Sequence, residues 1–367
     1  MTDLVVMSLE RWDDVWRRNQ YLISGLLDSD PTLRVLFVEP PADPLHALRR
    51  RVRPEFGSRM RRVDDRLWAV RAVKWLPRRF DPFAAGRPVR HVRRAAERLG
   101  MDDPMLWVND PGAADVARLT GWTALYDMTD DWLSADRPPT ERARVAAGER
   151  WLLQHAATVV ACSPELVRRK SDQRADIVLI RNAVDVARYQ VPTERPADLP
   201  AGRTAVYVGT LHRDRLDVEL CADVARGLAG TGSLVLVGPN ALSDADTTLL
   251  RDSGVVLLGA RSRDEVPAYL QHADVLVVPH VVSDFTESLD PIKLYEYQAV
   301  GRPVVSTPVA GFRDAAGVII ATSSTFSGKV AHAATASYPM RTSGRRESAD
   351  WSVRVQAFQD LLVGTIC

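Results

Sequence analysis

Short apolar runs alternate with longer segments of mixed polarity along almost the whole chain, and this alternation restricts the fold more than any other feature. Residues 3–8, 33–38, 67–73, 105–108, 123–126, 158–162 and 177–180 read as buried strands. Residues 15–27, 88–99 and 141–155 carry apolar positions at helical spacing, and Ser163 with Pro164 supplies an N-cap and first-turn pair for another helix. The stretch 190–203, QVPTERPADLPAGR, breaks the pattern with proline and polar residues and reads as a linker. The alternation then resumes, with strands at 204–208, 233–237, 255–258, 275–279, 304–307 and 318–320. Helices fall between them at 217–228, 245–252, 265–272 and 291–300, and residues 349–362 look helical as well. Apolar strands joined by helices belong to parallel sheets covered on both faces. The expected fold is α/β: two Rossmann-like, doubly wound parallel-sheet domains facing a central cleft. They occupy residues 1–190 and 204–347, and a C-terminal helix within 348–367 packs back on the first.

A chain of 367 residues suits two domains, and 46% apolar with 26% charged residues is ordinary for one that buries a core. That excludes collagen-like and disordered classes. No apolar run approaches the ~20 residues that span a bilayer. The opening MTDLVVMSLERWDD turns acidic too early for a signal peptide. Cys162, Cys221 and Cys367 lie far apart with no CxxC pair, so neither a disulfide framework nor a zinc knuckle is expected, and a reducing cytoplasm is. Forty-eight basic and 47 acidic residues leave a net charge of +1, so no nucleic-acid partner is expected. Residues 45–98 nevertheless hold 17 basic and five acidic residues. This segment is either a solvated arginine-rich face or a surface drawn to an anionic membrane or phosphorylated acceptor. The second reading places the protein at the inner membrane surface.

Open doubly wound sheets bind ligands beyond the carboxyl ends of their strands. The loops after the strands therefore carry the functional reading. In 286–307, TESLDPIKLYEYQAVGRPVVST, Asp290 reads as an N-cap, Pro291 as a first-turn residue and Gly301 as a stop. The N-terminus of this helix should enter the cleft, where its N–H groups and dipole favour a phosphate. Lys293 adds a point charge, and Glu296 can accept two hydrogen bonds from a vicinal diol such as a ribose. An exposed Lys293–Glu296 ion pair is the plainer alternative. In YDMTDDW, 126–132, Asp127, Asp130 and Asp131 either face the cleft and orient an acceptor hydroxyl or simply form a turn. Trp12 and Trp16 read as a core stripe at i,i+4 spacing, and Arg17 and Arg18 as side chains leaning toward a diphosphate. His280 ends a strand near the same loop. No GxGxxG, GxxxxGK[ST], GxSxG or HExxH motif is present, which disfavours dinucleotide, P-loop, serine-hydrolase and zinc-peptidase chemistry.

The segment 286–307 resembles the donor-binding region of retaining, family-4-like glycosyltransferases of GT-B fold, the glycosyl transferases of group 1. That family carries a Glu, seven residues and a second Glu before a Gly-Pro-Val strand entry. Glu296 falls on the second, which the resemblance assigns to the nucleotide ribose. Ser288 stands in place of the first, which touches the donor sugar, and the adjacent Glu287 is the substitute carboxylate. Pro291 stands where the family usually has a Gly near the diphosphate. IRNAVD at 180–185 resembles the end of the family's first domain, and AVYVGT at 205–210 the first strand of its second, with Gly209 where the phosphates approach. Arg213 and Arg215 fall near its diphosphate-binding basic residue, and 259–261 where it meets the base. The resemblance covers roughly residues 177–310.

It implies transfer of a sugar from a nucleoside-diphosphate sugar to a hydroxyl of a carbohydrate, aglycone or lipid-linked acceptor. Retention of configuration follows, with no metal and no cofactor besides the donor. The candidate catalytic residues are Asp127 and Asp130, from their place after a strand, and Glu287, from the resemblance. The implied donor-binding residues are Arg18, Gly209, Arg215, Arg261, Ser288, Lys293 and Glu296. A nucleotide-sugar 2-epimerase or phosphorylase on the same fold, or a degenerate transferase that only binds a partner, are the alternatives.

Overall fold

The computed structural model describes residues 3–44, 59–73, 86–135, 137–335 and 349–366. Two sheets organise them. The first contains β1 (Asp3–Met7), β2 (Arg34–Ala42), β3 (Arg59–Asp64), β4 (Leu67–Val73), β5 (Met105–Val108), β6 (Ala124–Met128), β7 (Thr158–Ala161) and β8 (Val178–Leu179). Their order is β3-β4-β2-β1-β5-β6-β7-β8, parallel throughout except for the antiparallel edge pair β3–β4. The second contains β9 (Arg203–Val208), β10 (Gly232–Val237), β11 (Val256–Gly259), β12 (Val275–Val278), β13 (Val304–Ser306) and β14 (Val318–Ile320). Their order is β11-β10-β9-β12-β13-β14, all parallel. Both are doubly wound sheets, the fold class read from the alternation.

Burial on both faces explains why these strands are apolar without a period of two. Leu4 of β1 pairs with Val35 and Met105 on either side, and Leu4, Val5 and Val6 are wholly buried. They divide between two cores, Val5 with Val92 and Leu106 on one face, Leu4 and Val6 with Leu22 and Phe37 on the other.

The helix Trp351–Ile366 belongs to the first sheet although it follows the second in the chain. Its Phe358 ring stacks on Trp107 at 4.5 Å and its Trp351 ring on Tyr21 at 4.9 Å. The facing helix Arg18–Ser29 offers Gly25, where a Cβ would lie 2.4 Å from Val355 Cγ2. Only glycine lets the two helices approach this closely. The junction after β8 faces the other way: Val184, Val186 and Tyr189 join a core of the second sheet.

Several elements differ from the sequence reading. β3 is absent from it because RMRRVD is mostly charged and pairs on one edge only. The helices Ala114–Thr120, Val186–Gln190, Asp284–Glu287 and Ser323–Thr335 are also additional. Trp12 and Trp16 sit in the loop after β1, not on a helix, yet they pack as a cluster, Trp12 edge-on to Phe37 and Trp16 to Tyr21. Of the arginine-rich segment, only 59–73 and 86–98 are described; Lys74 and the rest, like Cys367, lie outside the described residues. The helix Gly86–Arg98 buries Val89, Val92, Ala95 and Ala96 and turns its arginines outward.

Candidate functional site

A cleft of about 740 Å³ lies between the two sheets, lined by loops that leave the carboxyl ends of their strands. From the first sheet come 9–19 after β1, Asn109 after β5 and Thr129–Asp130 after β6. From the second come Gly209–Arg215 after β9, Arg261 and Arg263 after β11, His280 after β12 and the start of the helix Ile292–Val300.

That helix brings Lys293 and Glu296 into the cleft one turn apart. Lys293 Nζ donates to the Tyr207 hydroxyl (2.8 Å), which lies 3.2 Å from His280 Nε2. Burial, then Lys293 and Arg215, hold His280 well below its ordinary range, so it is a neutral acceptor for this chain of bonds. Burial brings Lys293 down to about 7, Arg215 pushes the same way, and Glu296 opposes them. Glu296 accepts from the Tyr189 hydroxyl (2.6 Å), and burial raises its carboxyl. Gly209 turns at φ +149°, and a Cβ there would lie 3.0 Å from Lys293 Nζ. Glycine leaves the space between backbone and ammonium open.

Arg215 reaches the same space from the loop after β9. Its guanidinium lies over the Phe285 ring at 5.5 Å, and its Nε is buried with no hydrogen-bond partner. A buried donor without a partner marks a place for an acceptor. Arg213, two residues earlier, points to Glu219 and Asp246 on the outside. On the opposite wall, Asp130 is raised to about 6 by burial, against the pull of Arg215 and Thr129.

The structure thus gathers Asp130, Gly209, Arg215, Lys293 and Glu296 in one cleft. Other expected site residues are placed differently. Arg18 lines the wall but is only 4% exposed. Its guanidinium is spent on both Asp127 oxygens (3.1 Å each), Asn182 Oδ1 (3.1 Å) and the Ile180 carbonyl (2.9 Å). Asp127 is therefore the buried half of an ion pair behind the wall and does not line the cleft. Arg261 borders the cleft with its guanidinium turned to Tyr269, Asp198 and the Leu258 and Ala260 carbonyls. Glu287 points to Arg313, away from the cleft. Ser288 is fully buried and bridges the domains: its Oγ accepts from the Asp131 N–H (3.3 Å) and its carbonyl from Ser163 (2.6 Å). Asp290 does not cap the helix, whose N-cap is Pro291. Its carboxylate accepts from Asn182 N–H (2.6 Å), Arg181 and Tyr295. Arg17 pairs with Asp13 and Glu10.

Sequence reasoning missed Glu10, Asn19, Tyr189 and Arg263. Only position after β1 and β11 could have flagged three of them, and Tyr189 lies in a helix that the reading omitted. Arg263 lines the cleft, its guanidinium 3.8 Å from the Trp16 ring centre while its backbone N–H donates to the Asp14 carbonyl (3.0 Å). Among the described residues, no group of three or more His, Cys, Asp or Glu is placed to hold a metal ion, and no helix is long and apolar enough to cross a membrane.

Residues 202–337, the second domain, match the family described as Glycosyl transferases group 1. Over 220 residues the chain is 24% identical to the putative teichuronic acid biosynthesis glycosyltransferase TuaH of Bacillus subtilis, covering 55% of each chain. The chain spans about half the length of the curated relatives it matches. The OtsA apo structure superposes with a TM-score of 0.68 at 12% identity, over 99% of both chains. Anabaena HepE in complex with UDP-glucose superposes with a TM-score of 0.67 at 14% identity, over 99% of this chain and 100% of that one.

Proposed function

We propose that this chain, a GT-B protein whose second domain is of the glycosyl transferases group 1 family, moves a sugar from a nucleoside-diphosphate sugar to an acceptor hydroxyl. The observation that carries the proposal is the convergence of Arg215, Lys293 and a helix N-terminus beside Glu296. Two cations and exposed N–H groups suit a diphosphate, and a carboxylate one helical turn away suits a ribose diol. As the sugar–phosphate bond breaks, negative charge grows on the diphosphate, and preorganised cations stabilise that charge. The chain supplies these cations itself, which supports a reaction without metal or further cofactor. A cleft bounded by two domains also shields the donor from water.

HepE was crystallised with UDP-glucose, so UDP is the first nucleotide to try here. Retention of configuration belongs to the proposal, and the anomeric proton coupling of the product tests it. Acceptors within the proposal are carbohydrates, aglycones and lipid-linked sugars on the cytoplasmic side. Contact with an anionic membrane would use the helix Gly86–Arg98, where Arg87, Arg90, Arg94 and Arg98 border a cavity of about 470 Å³. Cosedimentation with anionic but not neutral vesicles tests that contact.

The central test is a thermal-shift panel of UDP, GDP, dTDP and ADP, with and without magnesium. A ligand at 100 times its Kd adds about 2.7 kcal/mol to the native state. A selective, metal-independent shift that is lost in Glu296→Ala is expected. No shift with any nucleotide would overturn the proposal.

A further inference from the structure

Lys293 is held by groups that carry no charge. Its Nζ donates to the Tyr207 hydroxyl (2.8 Å) and lies 3.3 Å from His280 Nε2, with the Tyr207 ring centre 4.3 Å away. Glu296, the carboxylate one turn along the same helix, is engaged instead by the Tyr189 hydroxyl (2.6 Å). Tyr207 is wholly buried on β9 and stands behind the wall, whereas His280 lines the cleft just after β12 and is 3% exposed.

The surroundings pin this cluster. His280 N–H donates to Thr307 Oγ1 (3.2 Å), and its carbonyl accepts from the same hydroxyl (2.8 Å). The next residue, Val281, donates its N–H to the Arg215 carbonyl (2.9 Å), which ties the loop of Arg215 to the same strand end. The other titratable groups facing the cluster are Arg215 from that loop, Glu296 from the helix itself and Cys221 from the helix Val218–Leu228. Burial raises Tyr207 and Cys221 above their ordinary ranges and lowers His280 below its own, so all three are neutral.

A phenol has one proton. Given to His280 Nε2 at 3.2 Å, it leaves the oxygen's lone pairs to the ammonium. Such a holder satisfies the donors of an ammonium without cancelling its charge, as a carboxylate would. Gly209 keeps the approach open, since a Cβ there would stand 3.0 Å from Lys293 Nζ and 3.1 Å from the Tyr207 oxygen.

We propose that Tyr207 and His280 are positioning residues for the donor diphosphate: an uncharged cradle that fixes the Lys293 ammonium at the cleft and leaves its charge uncompensated until the diphosphate binds. This rests on the transferase reading and adds to it the reason why the cation waits without a counter-ion. The cradle acts in both states, Tyr207 keeping its bond to the ammonium while another N–H turns to the diphosphate.

The experiment takes whichever of UDP, GDP, dTDP and ADP binds the wild type most tightly. Its affinity and proton uptake are measured by titration calorimetry from pH 6 to 9 in wild type, Tyr207→Phe and His280→Glu, with Lys293→Met as the baseline for the ligand's own titration. In Tyr207→Phe the ammonium loses a bond and gains no charge, so it gives up its proton more readily. The fall in affinity should begin about one pH unit below the wild-type midpoint, and affinity at pH 8 should drop about 10- to 100-fold. In His280→Glu a carboxylate replaces the neutral ring. The midpoint should then move upward, proton uptake at pH 8 should shrink to less than about half a proton, and affinity at pH 6 should drop because the new charge repels the diphosphate. A merely structural loss would weaken binding without moving either midpoint. A Tyr207→Phe midpoint within about 0.3 unit of wild type, a shift in the same direction in both variants, or a wild-type affinity that stays flat from pH 7 to 9 overturns the proposal. Urea unfolding checks each variant, and Tyr207→Phe, which removes a single oxygen, carries the test alone if His280→Glu does not fold. Failure of every nucleotide to bind the wild type overturns the transferase reading instead.

Discussion

Nucleotide binding should draw a proton onto Lys293. Burial and Arg215 hold its ammonium, beside Tyr207 and His280, down at about 7. A bound diphosphate supplies the missing counter-charge and returns it toward its ordinary value near 10.4. A group whose pKa rises on binding favours the complex at low pH, and that gain is lost as pH climbs through the free value. At pH 8 the free ammonium is about one-tenth protonated, so binding should take up about 0.9 proton. Between pH 7 and 9, UDP affinity should fall about 50-fold, roughly 2.3 kcal/mol at 1.36 kcal/mol per unit, and stay flat below pH 6 apart from the ligand's own titration. The terminal phosphate, with a second pKa near 6, is already ionised above pH 7. Titration calorimetry in buffers of different ionisation enthalpy reads proton uptake directly. Lys293→Met isolates the effect from Glu10, which ionises over the same range. Equal pH slopes in wild type and Lys293→Met, or no proton uptake at pH 8, would refute the reasoning.

Three further outcomes are expected. Glu296→Gln should weaken UDP about 10- to 100-fold, the loss of one charge-assisted hydrogen bond at about 1.5–3 kcal/mol, in an equilibrium titration. Arg18→Met leaves Asp127 buried without its cation and should cost about 3–5 kcal/mol in urea unfolding, most of it recovered by adding Asp127→Leu. Phe358→Ala removes the ring stacked on Trp107 and should cost about 3–5 kcal/mol in the same assay.

The sheets were legible because strands buried on both faces must be apolar throughout, and runs such as Leu4–Val6 or Val275–Val278 leave few alternatives. β3 was not, since its six residues bury little and answer only to β4. Lys293 and Glu296 were legible because helical spacing puts them one turn apart and a strand end aims the helix. Glu10 and Asn19 were not, because their meaning comes from neighbours distant in sequence: Ser8, Asn109, Asp130 and Arg215. Asp290 shows how a local rule is overridden. An Asp before a Pro is a good helix opener, but the Asn182 N–H and the Tyr295 hydroxyl compete for the same carboxylate and hold it. Ser288 followed the same course, its hydroxyl held between the Asp131 N–H and the Phe285 carbonyl.

The placement of the helix Trp351–Ile366 also sets an order of assembly on the ribosome. Domains generally fold as they emerge, N-terminal first. Here the strands of the first sheet, β1 to β8, are complete by residue 179, yet Trp107, Tyr21 and Gly25 keep an open apolar seam until residues 351–366 have been made. The second sheet waits only for the helix that directly follows its last strand: Phe326, Val330 and Ala333 of Ser323–Thr335 complete one of its cores. Of the two halves described, the one made earlier is therefore completed later, and a ribosome stalled after the second domain would release a chain whose first domain still exposes the face that the helix Trp351–Ile366 covers.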